Sequence, residues 1–310
     1  MTDHFLGKDL GSAGFDAARE PVLTVRPGAG DRITFETDDA AYAEMERYGD
    51  LAQVTATINP VTGPVLVEGA EPGDALAVTI HDIALAEQGW SVYLPGAGAL
   101  TGRMGEAIRT RRIPVRDGVV HLTDTLTCPV APMIGCLGVA SASGTMSTVM
   151  PSYPTGGNMD LTDARPGATV LLPVEVPGAL LSVGDLHAVM SRGESSFVAI
   201  EIAGRATLSV DLVKGAGLRT PRIDTGDEWV TVGLGDPVQD SVQVAYEAMF
   251  DLLTREQGLD DMDAYVVMSA LAHTELGGPT GSAEPDPLHP FRPVGAVTLA
   301  RLAKAAIAAR

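Results

Sequence analysis

Residues 169–176 (TVLLPVEV) form an apolar segment of β character, and glycine-containing segments with polar side chains lie on both sides of it. Residues 156–160 (GGNMD) precede it, and residues 184–187 (GDLH) and 192–194 (RGE) follow it. Glycine lets the backbone approach a ligand closely and adopt a positive φ. Asp, His and Glu are residue types that bind metals and transfer protons. The pattern predicts a scaffold strand whose flanking loops bring these side chains to one site.

β character continues through most of the chain. Thirty-five glycines and 21 prolines divide the sequence at short intervals. Short strands with dense turn signals are typical of β-sandwich and β-barrel folds. Besides the strand over residues 170–176, apolar and polar alternation predicts strands over residues 21–25, 32–37, 75–83, 119–122, 197–202 and 206–213.

Helical periodicity is found only near the C-terminus. Residues 241–256 place apolar side chains on one broad face, and residues 260–272 begin with acids at the positive end of a helix. Residues 297–309 are rich in alanine and predict a third helix, whereas the proline-rich residues 284–293 predict a loop. Strands followed by helices indicate a β-rich α+β protein. We expect a single unit over residues 1–310, β-rich to about residue 235 and helix-containing from about residue 236.

Charge limits the classes of partner. The chain has 40 acidic and 21 basic side chains, and its net charge is −19. This balance argues against binding to nucleic acid or to anionic membrane surfaces, because both are polyanions. It fits a neutral or cationic small substrate, and it fits equally a protein of generally acidic composition. No apolar stretch approaches the length of a membrane span.

The two cysteines, Cys128 and Cys136, lie in apolar surroundings and are predicted to be buried, unreactive thiols. Two cysteines do not make a disulfide framework. Residues 1–5 (MTDHF) contain neither the basic nor the apolar part of a secretion signal. We therefore expect a cytoplasmic protein.

His187 is the histidine that the sequence separates from the other five. Two carboxylates, Asp185 and Glu194, lie in the same segment, and imidazole with carboxylate is a suitable ligand set for a divalent metal. Asn158 and Asp160 lie in the preceding glycine-rich loop, where an Asx-turn or cap is the alternative role. The residue pattern alone leaves both interpretations open.

Glu194 is the candidate acid–base residue. A carboxylate in a water-poor pocket can take a proton from a nucleophilic water and give it to a leaving group. The alternative is that Glu194 pairs with its neighbour Arg192 on a solvated turn.

The same residues carry a resemblance to a known family. Residues 156–201 resemble the signature region of the acetamidase/formamidase family. Residues 59–74 (NPVTGPVLVEGAEPGD) and 132–140 (PMIGCLGVA) are similar to two further blocks of that family, in the same order. The resemblance covers roughly residues 15 to 275. It implies hydrolysis of short-chain amides to ammonia and a carboxylate, on a closely packed jelly-roll-like sandwich, a small β-barrel and a C-terminal α/β element.

The resemblance also implies roles for single residues. Asp160 and His187 are expected to hold a divalent metal, with zinc as the expected ion. Asn158 is expected to orient the ligand or substrate, and Glu194 to transfer protons. The expected partner is a small amide, and the expected assembly is a homodimer or a larger homo-oligomer. The alternative function is a non-catalytic or specificity-shifted family member that binds a small molecule.

Arg192 departs from the family pattern. Family members usually read Met-Gly-Asp-Gly-Glu where this chain has residues 190–194 (MSRGE). A guanidinium in the pocket could bind a substrate carboxylate through two hydrogen bonds, and we predict Arg192 as a substrate-binding residue on this basis. The alternative is an ion pair with a surface acid. Residues 269–275 (SALAHTE) resemble a C-terminal helix of the family, in which His273 and Glu275 are expected to cap the helix, with a place at the site as the alternative.

Overall fold

The computed structural model describes residues 1–100, 102–149, 153–278 and 296–307. The strands of the described residues, in chain order, are β1 (Asp3–Leu6), β2 (Gly11–Ser12), β3 (Gly14–Phe15), β4 (Leu23–Val25), β5 (Arg32–Glu36), β6 (Val61–Val67), β7 (Ala75–Leu85), β8 (Gln88–Tyr93), β9 (Arg109–Arg116), β10 (Val119–His121), β11 (Thr127–Pro129), β12 (Met133–Gly138), β13 (Met146–Ser147), β14 (Gly156–Asn158), β15 (Thr169–Pro173), β16 (Leu181–His187), β17 (Glu201–Ile202), β18 (Gly204–Val213), β19 (Arg222–Asp224), β20 (Glu228–Gly235), β21 (His273–Leu276) and β22 (Ala296–Ala303).

Helices are few in the described residues. The α-helices are α1 (Ala40–Tyr48), α2 (Val238–Asp251) and α3 (Asp261–Leu271), and a π-helical turn (Leu252–Glu256) continues α2. Short 3₁₀ turns are Lys8–Leu10, Leu51–Gln53 and Lys304–Ala306. No helix in the described part of the chain has the length and apolar character that crossing a membrane requires.

The strands form two large sheets and one small one. The first sheet has nine strands in the order β1-β5-β18-β7-β15-β19-β20-β22-β21. The second has eleven strands, with β11-β10-β9-β8-β17-β16-β12-β14 as its main path and with β6 joining β2 and β4 to β16. A two-stranded sheet pairs β3 with β13. The β-rich α+β prediction is confirmed, and the small barrel stays a prediction.

The main core lies between the two large sheets. Val78 and Leu172 of the first sheet and Leu137 and Val183 of the second belong to one apolar cluster. Each of these side chains is fully buried. Burial of apolar surface is the dominant favourable term in folding. Because β12 and β16 contribute to this core, their backbones are held firmly, and the site described below is built on them.

The alanine-rich C-terminal segment was predicted as a helix over residues 297–309, and this prediction is wrong. Residues 296–303 form β22, which pairs with β20 on one side and with β21 on the other. Val297 and Leu299 belong to the main core, whereas Ala300 and Leu302 pack against α2 in a separate cluster. Alternate residues are thus buried on opposite faces, and this burial overrides the helix propensity of alanine.

Other boundaries also differ from the predictions. α3 ends at Leu271, so His273 and Glu275 lie on β21 and do not cap a helix. The strand predicted over residues 197–202 is reduced to residues 201–202. α1 was not predicted, although Gly49 ends it in the left-handed conformation that glycine favours. The predicted loop over residues 284–293 lies outside the described residues.

The remaining strand predictions and the first two helix predictions are confirmed within a few residues. Cys136 is fully buried as predicted, whereas Cys128 is only half-buried, and both thiols are free. His81 lies on β7, half-buried, and its Nε2 is 2.7 Å from Ser209 Oγ.

Candidate active site

Adjacent strands of the eleven-stranded sheet bring the polar side chains together. In β12, Cys136 is the register partner of Asn158 on β14 and of Gly184 on β16. In β16, His187 is the register partner of Glu201 on β17. Side chains on neighbouring strands at one register position lie within about 4.5–5.5 Å of each other at Cβ. The strands β14, β12, β16 and β17 are therefore neighbours in one sheet, and they carry Asn158, Cys136, His187 and Glu201.

His187 lies at the centre of an acidic cluster. Its Nε2 is 3.2 Å from Glu201 Oε2, 3.5 Å from Asp185 Oδ1 and 3.7 Å from Asp160 Oδ1. Glu194 completes the cluster, since its carboxylate and that of Glu201 both lie within 4.8 Å of a His187 nitrogen. All five side chains are buried. Buried charges are expensive unless they are paired or bind a metal, so a function is the expected reason for this cluster.

Three of the acids have a backbone conformation that non-glycine residues rarely adopt. Asp160, Asp185 and Glu194 have φ values of 45°, 56° and 37°. Residues held in this region cost of order 1–3 kcal/mol each and concentrate at active sites and ligand-binding sites. The surrounding strands and loops must therefore hold the three carboxylates against this cost.

A glycine makes room for two of the carboxylates. A Cβ atom on Gly135 of β12 would lie 2.5 Å from Asp160 Oδ1 and 2.5 Å from Asp185 Oδ2. Both distances are far below van der Waals contact. The absence of a side chain at Gly135 thus allows the two acids to converge beside His187.

The pKa values of the cluster depend on one another. Burial raises the pKa of Asp160 and of Glu194 well above the usual range of a carboxyl, and neighbouring carboxylates raise both further. Burial also raises the pKa of Glu201, to about 7, although the charge of His187 opposes this shift. At Asp185 burial favours the neutral form, but the charge and hydrogen bonds of His187 outweigh it, and the pKa is lowered. Burial likewise favours neutral His187, yet Glu201 and Asp185 raise its pKa well above 6.5.

Four buried carboxyls thus surround one imidazole, and the cluster needs bound protons or a further cation to be neutral. Its geometry offers two ligand sets that share His187. Asp160, Asp185 and His187 form one set, and His187, Glu194 and Glu201 form the other, with the ligating atoms of each set within 4.8 Å of one another. Asp160 Oδ1 and His187 Nδ1 are buried without a hydrogen-bond partner. Imidazole and carboxylate ligands suit divalent metals, so the residues present fit such an ion.

A small cavity of about 30 Å³ opens onto the cluster. One water needs roughly 10–15 Å³ of such volume, so the cavity accepts only small molecules. Asn158, Asn59 and Tyr42 supply neutral polar groups to its wall, and the Tyr42 hydroxyl donates a hydrogen bond to Asn59 Oδ1 at 2.6 Å. The apolar part of the wall is formed by Met45, Ile58, Leu94, Val149, Phe197 and Val198.

Comparison with a family model decides the classification of the chain. The model described as the Acetamidase/Formamidase family matches residues 17–142 and 103–272. The chain belongs to this family. An acetamidase from Mycolicibacterium smegmatis is 31% identical over 269 residues, which cover 66% of this chain and 66% of that protein. The match therefore spans slightly under two thirds of the relative's length.

Two solved structures of the acetamidase/formamidase family resemble the chain over nearly its whole length. A recombinant predicted acetamidase/formamidase from Thermoanaerobacter tengcongensis has a TM-score of 0.84 at 30% identity, covering 97% of this chain and 96% of that chain. An acetamidase from Bacillus halodurans has a TM-score of 0.85 at 30% identity, covering 96% of this chain and 97% of that chain. The likeness thus includes both large sheets.

Within this acetamidase/formamidase fold, the structure brings together four of the five residues proposed from the sequence. Asn158, Asp160, His187 and Glu194 all line the small cavity. Arg192 is not among the described residues that line it. The Arg192 guanidinium instead contacts Glu275 and Asp163. The predicted contact between Arg192 and a substrate stays a prediction.

Sequence reasoning left out Glu201, Tyr42 and Asn59, and it noted Asp185 only as a neighbour of His187. Glu201 is the single acid in the apolar residues 197–202 (FVAIEI), and this isolation was an available signal. Tyr42 comes from α1, whose short apolar pattern was not recognised as helical. Asn59 has a φ of 48°, which nothing in the sequence around it indicates.

Proposed function

We propose that this protein hydrolyses short-chain linear amides of the formamide and acetamide type to ammonia and a carboxylate, with the help of a divalent metal, zinc. The observation that supports this most strongly is the buried cluster of Asp160, Asp185, His187, Glu194 and Glu201 around one small cavity. The family and the names of the relatives give the reaction class, and the ligand types agree with a metal site. We also propose a cytoplasmic location, which the two free cysteines support, and we propose a homodimer or larger homo-oligomer as the assembly.

In this proposal Asp160, Asp185 and His187 hold the metal. A bound divalent metal polarises the amide carbonyl and lowers the pKa of water. Glu194 belongs to the second ligand set around His187, and because a nearby cation favours its carboxylate form, it would accept a proton from the attacking water. The same carboxyl then gives that proton to the amide nitrogen as the carbon–nitrogen bond breaks, so that ammonia leaves and Glu194 returns to its starting state.

The cavity wall supplies orientation and selects for size. Asn158 and Tyr42 offer neutral hydrogen-bonding groups, which can bind an amide without adding charge to the acidic cluster. Met45, Leu94 and Phe197 close the apolar side and leave about 30 Å³. A compact apolar pocket of this kind excludes bulk water and favours small neutral substrates.

The test combines metal analysis with an activity assay. The protein purified without added chelator should contain a divalent metal and should release ammonia from formamide or acetamide. Prolonged chelation should abolish ammonia release, and zinc should restore it. A metal-free protein that is inactive on a broad panel of amides, even after zinc is added, would contradict the proposal and favour the small-molecule-binding alternative. Native mass spectrometry at the same stage reports the assembly.

A further inference from the structure

We propose that Arg192 is a positioning residue, which ties the loop that carries Glu194 to the loop that carries Asp160 through a ring of ion pairs. This inference rests on the proposed function for its catalytic consequence. Arg192 lies two residues before Glu194, and Asp163 lies three residues after Asp160. The Arg192 Nη2 atom is 3.3 Å from Asp163 Oδ1, so a single contact joins the two loops.

A second arginine closes the ring. Arg301 on β22 places Nη1 2.7 Å from Asp163 Oδ2 and Nε 3.0 Å from Glu275 Oε1. Glu275 on β21 also accepts from Arg192 Nη1. Asp163 and Glu275 therefore each bind both arginines, and two positive charges balance two negative charges in a closed group of four. In addition, Arg301 pairs with Glu228, the first residue of β20.

Burial makes this ring more than a surface ion pair. The Asp163 side chain is only 2% exposed and that of Arg301 is 11% exposed, whereas Arg192 and Glu275 are 38% and 32% exposed. Exposed pairs contribute little because water screens them. A buried carboxylate that loses a partner is costly, so Asp163 needs its arginines. The ring is thus anchored on its buried side and reaches the Glu194 loop on its exposed side.

Backbone hydrogen bonds also connect the Glu194 loop to β22, the strand that carries Arg301. Gly193 N donates to Gly277 O at 2.9 Å, and Gly277 N donates to Val297 O at 3.0 Å. This chain of hydrogen bonds continues into β22. Glu194 itself has a φ of 37°, a conformation that persists only where the surroundings impose it. The ring and the Gly193 hydrogen bond together supply that restraint.

The positions of the contacts separate this role from substrate binding. Both Nη atoms of Arg192 already contact carboxylates of the protein. Arg192 is also not among the described residues that line the cavity. Loss of Arg192 should therefore loosen the Glu194 loop and misplace its carboxyl. Such a change lowers kcat with little effect on KM, because no ground-state contact with the substrate is removed.

The test compares Arg192→Met, Arg192→Lys and a control, Arg219→Met. Arg219 is an exposed arginine that pairs with Glu247 at 3.1 Å, away from the cavity. We expect kcat of Arg192→Met to fall about 10- to 100-fold, as misplacement of a reacting group does, with KM within about twofold of wild type. Hydrogen exchange at residues 193 and 194 should become faster in the same variant. The kcat and the exchange rate of Arg192→Lys should lie between those of wild type and Arg192→Met, since a single ammonium group cannot replace the planar guanidinium in binding two carboxylates.

Several outcomes would overturn the inference. Unchanged exchange at residues 193 and 194 would show that Arg192 does not restrain the loop. Faster exchange with wild-type kcat would show that the restraint has no catalytic role. A raised KM at constant kcat would place Arg192 on the substrate. If wild-type protein hydrolyses no amide, the proposed function fails separately, and the exchange measurement still decides whether Arg192 ties the loop. Normal exchange and kcat are expected for Arg219→Met.

Discussion

His187 and Glu201 face each other across the β16–β17 pair, and His187 Nε2 lies 3.2 Å from Glu201 Oε2. The Glu201 carboxylate has a second, local contact, because the backbone N–H of Ala199 donates to its Oε1 at 3.0 Å. The acid is thus fixed by its own loop while it faces the imidazole. Asp185 and Asp160 lie near the same Nε2 atom, at 3.5 and 3.7 Å, so Glu201 faces the ring nitrogen that the proposed ligand set shares.

Glu201→Gln tests that role. The substitution keeps the shape of the side chain and removes the charge that faces His187. If the charge of Glu201 supports the proposed metal site beside His187, metal affinity should fall about 10- to 100-fold, the range for carboxylates next to metal-binding histidines. Competition with a chromophoric chelator measures the change. Glu247→Gln, at an exposed acid paired with Arg219, is the matched control and should bind metal normally. Unaltered affinity in Glu201→Gln would show that the contact is not part of the metal site.

His187→Ala and Asp160→Ala should each abolish metal binding and amide hydrolysis while the fold remains intact. Both residues belong to the same buried ligand set, and each supplies a ligand atom that no other residue of the set replaces. Metal content by mass spectrometry and circular dichroism of the same samples provide the measurement. Full metal stoichiometry in either variant would remove that residue from the proposed ligand set.

Glu194→Gln should separate proton transfer from metal binding. The variant should retain metal and lose turnover by about 10²- to 10⁴-fold, the usual contribution of an acid–base group. The reason is that an amide side chain can occupy the same space but cannot carry the proton from water to the leaving nitrogen. Steady-state ammonia release, with metal content measured in parallel, checks this. Turnover near wild type would show that Glu194 has only a structural role.

Gly135→Ala should lower both stability and activity, because the added methyl group collides with the site. The added Cβ would lie 2.5 Å from Asp160 Oδ1 and from Asp185 Oδ2, so at least one acid must move. Overpacking of this kind costs about 1–3 kcal/mol in the free energy of unfolding, and activity should be lost with it. Gly69→Ala is the control: its φ of 75° strains an added side chain, but a Cβ there meets nothing within 4 Å, so stability should fall through backbone strain alone while activity stays normal. Urea unfolding and ammonia release measure the two effects. An active Gly135→Ala enzyme would contradict the need for close packing of the two acids.

Asp74 should make the stability of the fold depend on pH. Burial opposes its charged form, but hydrogen bonds from Lys214 Nζ at 2.6 Å and from the backbone N–H groups of Gly215 and Glu71 lower the pKa of Asp74. A carboxyl whose pKa is lower in the folded chain stabilises the fold above its unfolded pKa, near 3.9, and this stabilisation is lost as the pH falls through the folded value.

Asp74→Asn should therefore lower the free energy of unfolding by about 1.5–3 kcal/mol at pH 7, the range for hydrogen bonds to a charged group. The difference from wild type should shrink below about pH 4, because Asp74 of the unfolded chain then binds a proton before Asp74 of the folded chain does. Urea titrations at pH 7 and at pH 3 measure both values. A difference that is equal at the two pH values would show that the charge of Asp74 does not stabilise the fold.

Local patterns were sufficient for much of the fold. Helices α2 and α3 were predicted because an apolar face repeats every three or four residues, and this signal is contained in the helix itself. Strands such as β7 and β18 were predicted because alternation with a period of two is equally local. β22 was predicted wrongly, since the choice between helix and strand for an alanine-rich segment depends on its neighbours β20 and β21, which lie far away in sequence.

By itself, the sequence determined that Asn158, Asp160, His187 and Glu194 stand in glycine-containing segments, and its blocks determined the family. The strand predicted as their scaffold, β15, lies in the other large sheet. Only the tertiary structure decided that Glu201 and Tyr42 join them and that Arg192 turns towards Asp163 and Glu275. The physical reason is that strand register and ion-pair partners are set between segments distant in sequence. A shift of one residue in the β16–β17 register would point Glu201 to the opposite face of the sheet and away from His187.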